Sequence, residues 1–129
     1  MSMERSTITM SESGNIIILD NVASIWMSEP ELVELFGVIV PTLRAAIRAV
    51  YKSGVLKEYE VQKYVRLENG YHADVFSFPI IVALAFHIDS FGAEQVRKAM
   101  FERLYLRKEK TTFFFSLGIN GRDMSNYQA

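Results

Sequence analysis

Arg44, Arg48 and Lys52 recur at intervals of four residues, a spacing that lines three cations along one face of an α-helix. Such a row can neutralise nucleic-acid phosphates, and an arginine within it can read guanine O6 and N7 bidentately. It also suits an ordinary solvated helix face. Thr42 adds a hydroxyl at the start of the same segment, where a groove-entering helix meets base edges. Thr42 and Arg44 are therefore expected near bases, Arg48 and Lys52 at phosphates. Lys63, Arg66 and His72 follow in a strand-prone stretch, with Lys63 and Arg66 as further candidate DNA contacts. Other reactive patterns are sparse. Without cysteine there is neither a disulfide nor a thiolate metal site. His87 and Asp89 lie two apart and so do not share a helical face, which suits a structural histidine better than a metal ligand. The chain contains no phosphate-cradling glycine loop, dinucleotide fingerprint or nucleophile elbow. No catalytic residue, metal or cofactor is expected, and no enzymatic activity.

The elements that must hold the basic row are marked by local signals. Ser28 with Glu31 three residues on is a capping-box pattern, and Pro30 fits a first turn. Leu32, Val33, Leu35 and Phe36 form one apolar face, and Gly37 suits a stop. Glu29, Glu31 and Glu34 suit the positive end of that helix's dipole. A second helix begins near Pro41, with Leu43, Ile47, Val50 and Tyr51 inward, and ends at Ser53-Gly54. Two helices separated by Gly37 to Val40 read as a helix-turn-helix. Asn69-Gly70 between the runs 60–67 and 71–76 predicts a two-residue hairpin turn, and so a wing. That register pairs Glu68 with Tyr71, Arg66 with Ala73 and Tyr64 with Val75. Upstream, Ile16 to Leu19 and Val22 to Trp26 flank Asp20-Asn21 and predict a short N-terminal hairpin. Residues 78–88 predict a helix apolar nearly all round, hence a central helix or a dimer contact. An amphipathic helix from Ala93 to about Leu106 and a last strand around Phe113-Phe114-Phe115 complete the pattern.

Charge is unevenly distributed. The chain is net −1 overall, yet residues 1–40 carry −5, 41–67 carry +4 and 92–110 carry +3. A general nucleic-acid coat is excluded; a modest phosphate-facing surface is not. The longest apolar run is too short to span a bilayer, and no secretory signal is evident. A soluble cytoplasmic chain is expected.

Several of these segments, in order, resemble the N-terminal part of the RhuM family. The resemblance runs through Ile25-Trp26-Met27-Ser28, Leu32 to Gly37, Thr42-Leu43, Ile47-Arg48 and Tyr51 to Leu56. It continues through Val75-Phe76, Ile80-Ile81, Phe86 to Ser90 with Gly92, then Val96-Arg97 and Ala99. It implies a bacterial protein of mobile elements with a DNA-binding domain related to phage antirepressor modules. The chain departs from the family pattern at Phe91, at Lys98, and where Ile39, Val40, Ala45 and Ala46 replace polar residues.

The resulting expectation is an α+β winged-helix-like domain over 14–117, preceded by a disordered leader (1–13) and followed by a polar tail (118–129). It comprises an N-terminal hairpin, helix-turn-helix, wing hairpin, two further helices and a last strand. The expected function is transcription-regulator-like binding of double-stranded DNA, as a homodimer without cofactor. The alternative is a protein-interaction module that kept the fold and lost DNA affinity.

Overall fold

The computed structural model describes residues 4–18 and 21–104. It is an α+β protein with small antiparallel sheets. The chain divides into two compact units, residues 1–97 and 98–129. Only 98–104 of the second unit lies among the described residues, and it is helical. The expected strand around Phe113 and the polar tail fall outside them.

The N-terminal segment is not a free leader. Strand β1 (Thr9–Met10) pairs antiparallel with β2 (Ile16–Ile17), and Ile8 is 2% exposed. The hairpin predicted around Asp20-Asn21 is therefore displaced towards the N-terminus. Its turn is built by Ser11, whose N–H donates to Asn15 O at 2.8 Å while its O accepts from Gly14 N–H at 2.9 Å. Val22–Ser24, expected as strand, is a 3-10 turn leading into β3 (Trp26–Ser28). Ser6 takes the ladder position beside Ile25, with Ser6 N–H on Ser24 O and Trp26 N–H on Ser6 O, so residues 22–25 need no hairpin partner of their own.

Helix α1 (Glu29–Phe36) starts where its capping signal sits, with Ser28 N–H donating to Glu31 Oε1 at 2.8 Å. Gly37, at φ +67°, ends it. Three residues on, α2 (Val40–Ser53) begins, and it buries Leu43, Ala46, Ile47 and Val50. Burying a large aliphatic side chain contributes about 1.5–3 kcal/mol, which fixes α2's inward stripe and leaves Arg44, Arg48 and Lys52 exposed. A four-residue helix, α3 (Glu58–Val61), occupies the start of the stretch expected as strand. Its Val61 is 3% exposed, and a helical turn is what carries that side chain inward just before β4 (Gln62–Arg66) begins.

Strand β4 pairs with β5 (His72–Ser77), which also pairs with β3, giving the order β3-β5-β4. The hairpin register differs from the expected one by a single residue. Observed pairs are Arg66 with His72, Val65 with Ala73, Tyr64 with Asp74, Lys63 with Val75 and Gln62 with Phe76. The cause is a three-residue loop, Glu68-Asn69-Gly70, in place of a two-residue turn. Leu67 N–H donates to Tyr71 O (2.7 Å), Gly70 N–H donates to Leu67 O (2.9 Å), and Gly70 takes φ +91°. One extra loop residue moves every cross-strand pair by one. Tyr64, Arg66, His72 and Asp74 thereby share one face, while Lys63, Val65, Ala73 and Val75 share the other.

Helix α4 (Phe78–His87) buries Ile80, Ile81, Leu84 and Ala85 and packs against α2, α3 and β5, which accounts for that part of its apolar circumference; Phe86 on the same helix is exposed. A fifth helix opens at residue 91. Ser90 Oγ donates to Phe36 O at 2.7 Å and accepts from Ala93 N–H at 3.1 Å, joining the end of α1 to the start of this helix. Gly92 permits the contact: a Cβ there would overlap the Leu35 carbonyl and the Phe36 backbone. Arg97 donates to Ala85 O (2.7 Å) and Ile88 O (3.0 Å), satisfying carbonyls at the end of α4. Among the described residues no helix is long and apolar enough to cross a membrane.

Candidate nucleic-acid interface

The outward surface of α2 is positioned by its buried stripe, and the β4–β5 hairpin stands beside it. Between them lies an open cleft of about 430 Å³, lined among others by Glu29, Arg44, Arg48, Gln62, Asp74 and Phe76. Arg44 and Arg48 thus border one cleft, and Arg66 shares the sheet face of Gln62 and Asp74. Lys63 does not join them. It projects from the opposite face of β4, where its Nζ sits 4.4 Å from the Trp26 ring centroid, a cation–π contact that uses the charge internally. Thr42 is exposed, but two residues from Arg44 is about 200° around a helix, so the two occupy opposite flanks. Lys52 is exposed in the last turn, where it also complements the negative end of the helix dipole.

The cations differ in what engages them. Arg44 Nε donates to Glu29 Oε2 at 2.7 Å and its terminal nitrogen to Oε1 at 2.9 Å, a two-pronged pair joining α2 to α1. The hydrogen bond from Arg44 holds the Glu29 carboxyl below its ordinary pKa, against a smaller opposing effect of burial. Arg48 is exposed and pairs with no carboxylate among the described residues. Asp74 on the hairpin and Glu29 on α1 place negative charge on the same cleft, so its field is mixed rather than uniformly positive. Tyr51 lies beside it: its hydroxyl donates to Gln62 Oε1 at 2.7 Å. Burial, with the Glu58 and Asp74 charges adding, pushes that phenol up to about 12, so it remains a donor.

A second charged group anchors the hairpin loop. Arg5, with a side chain only 4% exposed, donates to both Glu31 oxygens at 2.7 and 3.0 Å, to Trp26 O at 2.8 Å and to Glu68 Oε1 at 2.9 Å. Its Nε is buried without a partner among the described residues. Burial opposes ionisation of Glu31, but hydrogen bonds from Arg5 and the Ser28 N–H outweigh it and hold the carboxyl below its usual range. Glu68 is lowered first by its own backbone N–H and then by Arg5. The negative charge at the hairpin tip is thereby matched within the molecule.

The sequence marked the basic row but not the carboxylate, Glu29, that pairs with Arg44. Glu29 has a complete local explanation at a helix start, and nothing local pairs it with a residue fifteen positions away. His72 stacks on Tyr64 at 5.7 Å between ring centroids, and His87 is exposed at the end of α4. No cluster of metal-ligating residues occurs among the described residues. No family model, curated protein or solved structure matches the chain.

Proposed function

We propose that the chain is a winged-helix-type DNA-binding regulator in which α2 enters the major groove and the β4–β5 hairpin serves as the wing. The observation that carries this reading is the arrangement of α2. It follows a short turn after α1, exposes Arg48 and Lys52 along its outward side, and leads through α3 into the hairpin of a β3-β5-β4 sheet. Groove-reading helices of helix-turn-helix proteins are held in this way, by a first helix behind and backbone-contacting elements beside. The resemblance to RhuM-type proteins supports the same reading and extends it to a bacterial mobile-element regulator. A homodimer would set two α2 helices on successive turns of the duplex.

Salt-dependent duplex binding tests the proposal. Affinity should fall steeply as salt rises, and Arg48→Ala and Lys52→Ala should each weaken binding across sequences and lower the salt slope by about one. Absence of duplex binding at low salt would sink it. A second reading, a protein-interaction module on the same scaffold, is favoured by the exposure of Ile39 (67%) and Val40 (37%) at the head of α2. A single stoichiometric protein partner, captured by wild type and lost on Ile39→Asp, would support that reading instead.

A further inference from the structure

The sheet order β3-β5-β4 leaves β4 on the rim. Leu67 N–H donates across the hairpin to Tyr71 O, and facing pairs of an antiparallel ladder alternate between bonded and unbonded. Counting back from Leu67, Val65 and Lys63 bond to β5, while Tyr64 and Arg66 turn their N–H and C=O groups to the open edge. Nothing pairs with those groups among the described residues, and Tyr64 and Arg66 are both exposed. Such an edge is a template for a further strand, and sheets ordinarily blunt it with a proline, a bulge or a lysine. Strand β4 has no proline, and its register with β5 is unbroken. Its lysine, Lys63, is drawn onto the Trp26 ring.

We infer that β4 pairs antiparallel with β4 of a second copy of the chain, about a twofold axis at Tyr64. The strand's own sequence selects that occupant. Centred on Tyr64, all five residues of the strand pair. Gln62 then faces Arg66 of the second copy, Lys63 faces Val65 and Tyr64 faces Tyr64, so no like charges are opposed. Centring one residue earlier sets Lys63 against Lys63, and one residue later leaves Gln62 with no strand residue opposite. Tyr64 stacks on His72 at 5.7 Å, so the pairing sets two such stacks side by side, and aromatic cross-strand pairs stabilise sheets. Paired side chains of antiparallel neighbours share a face, so the twofold runs perpendicular to the sheet. Gln62, Asp74 and Phe76 line the cleft beside α2 and share the face of Tyr64, so both clefts open on the same side of the joined sheet. This gives the homodimer of the DNA-binding reading its interface, and it rests on that reading only for its use. Two such short strands form a small interface, so the dissociation constant is expected in the roughly micromolar range.

The test uses the full chain without DNA, followed by sedimentation velocity from micromolar to submillimolar concentration, where a reversible dimer should appear. Tyr64→Pro deletes both hydrogen bonds of the central pair but none inside the chain, since proline is tolerated where an edge N–H faces outward. It should weaken association about tenfold or more, the combined net contribution of two ladder hydrogen bonds. Tyr64→Lys keeps the N–H and sets two cations opposite each other, and should weaken association severalfold. Thermal unfolding confirms that each variant is folded. The chain has no cysteine, so Tyr64→Cys is a clean probe of the twofold. Cα atoms about 5.5 Å apart at the central pair are within disulfide reach, and mild oxidation should link most of the chain into dimers. Tyr59→Cys, on α3 at a site 78% exposed, should stay largely unlinked under the same conditions. A chain that is monomeric at every concentration, a dimer that Tyr64→Pro and Tyr64→Lys leave intact, or equal linking of the two cysteine variants would overturn the inference. A monomer that nevertheless binds duplex would overturn the pairing and leave the DNA-binding reading standing. A dimer with these properties that binds no duplex would do the reverse.

Discussion

Two arginines of this protein each hold a glutamate with two hydrogen bonds, Arg5 through both terminal nitrogens and Arg44 through Nε and one terminal nitrogen, yet their surroundings differ sharply. Arg5 is sealed, with 4% of its side chain exposed, and joins the N-terminal segment to α1 and to the hairpin tip; Arg44 is 60% exposed and joins α2 to α1. In the sealed group, removing one partner strands a charge away from water. At the exposed pair, water replaces a lost partner, and such pairs contribute little to stability. Two hydrogen bonds to a carboxylate do not by themselves set what a pair contributes to stability; burial does.

Substitutions on each side put this contrast at risk. The closed side should fail most severely at Gly92, where any Cβ meets the α1 backbone. Gly92→Ala should lower unfolding free energy by about 3 kcal/mol through overpacking, measured by chemical denaturation. Glu31→Leu leaves the buried Arg5 with only the exposed Glu68 carboxylate and the Trp26 carbonyl, and removes the carboxylate that accepts from Ser28 N–H, so a loss of about 3 kcal/mol is expected. Arg5→Met should cost less, about 1–2 kcal/mol, because Glu31 keeps a 34% exposed side chain that water can reach. A loss for Arg5→Met as large as for Glu31→Leu would contradict the role given to burial. Arg44→Ala and Glu29→Gln should each change stability by less than about 0.5 kcal/mol, and double-mutant cycles should find strong coupling for Arg5–Glu31 but not for Arg44–Glu29.

Acid should expose the same asymmetry. The Glu31 carboxyl is lowered in the folded protein, so its stabilising contribution is fully present above the ordinary carboxylate value of about 4.3. It is lost as pH falls through the lowered value. Stability should therefore drop below about pH 4, and drop less in Arg5→Met, where Glu31 no longer has its partner. An acid profile identical in the two proteins would remove Arg5 as the cause.

The helices α1, α2 and α4 and the hairpin were legible in the sequence because each carries its own local signal. Ser28 with Glu31 caps α1, Gly37 stops it, and Leu43, Ile47 and Val50 mark the face of α2. The N-terminal hairpin was misplaced, since Ile16 to Trp26 is β-prone throughout and the strand partner of Ile16–Ile17 is the polar-looking Thr9–Met10. Asn69-Gly70 located the hairpin's loop but not its length, and one residue of loop decides which side chains share a face. For the candidate site, the row Arg44, Arg48 and Lys52 was legible as a row, because helical spacing is local. Its unequal engagement was not.

Local signals suffice for the existence and order of the helix pair and hairpin, since capping residues, glycine stops and apolar periodicity act within a few residues. The folded arrangement was needed to establish that Glu29 holds Arg44, that Lys63 lies over Trp26 on the far side of the sheet, and that Arg5 neutralises Glu68. Each of those contacts joins residues at least fifteen positions apart. Their energies depend on burial and approach distance, which exist only once the core of α2, α4 and β5 has closed.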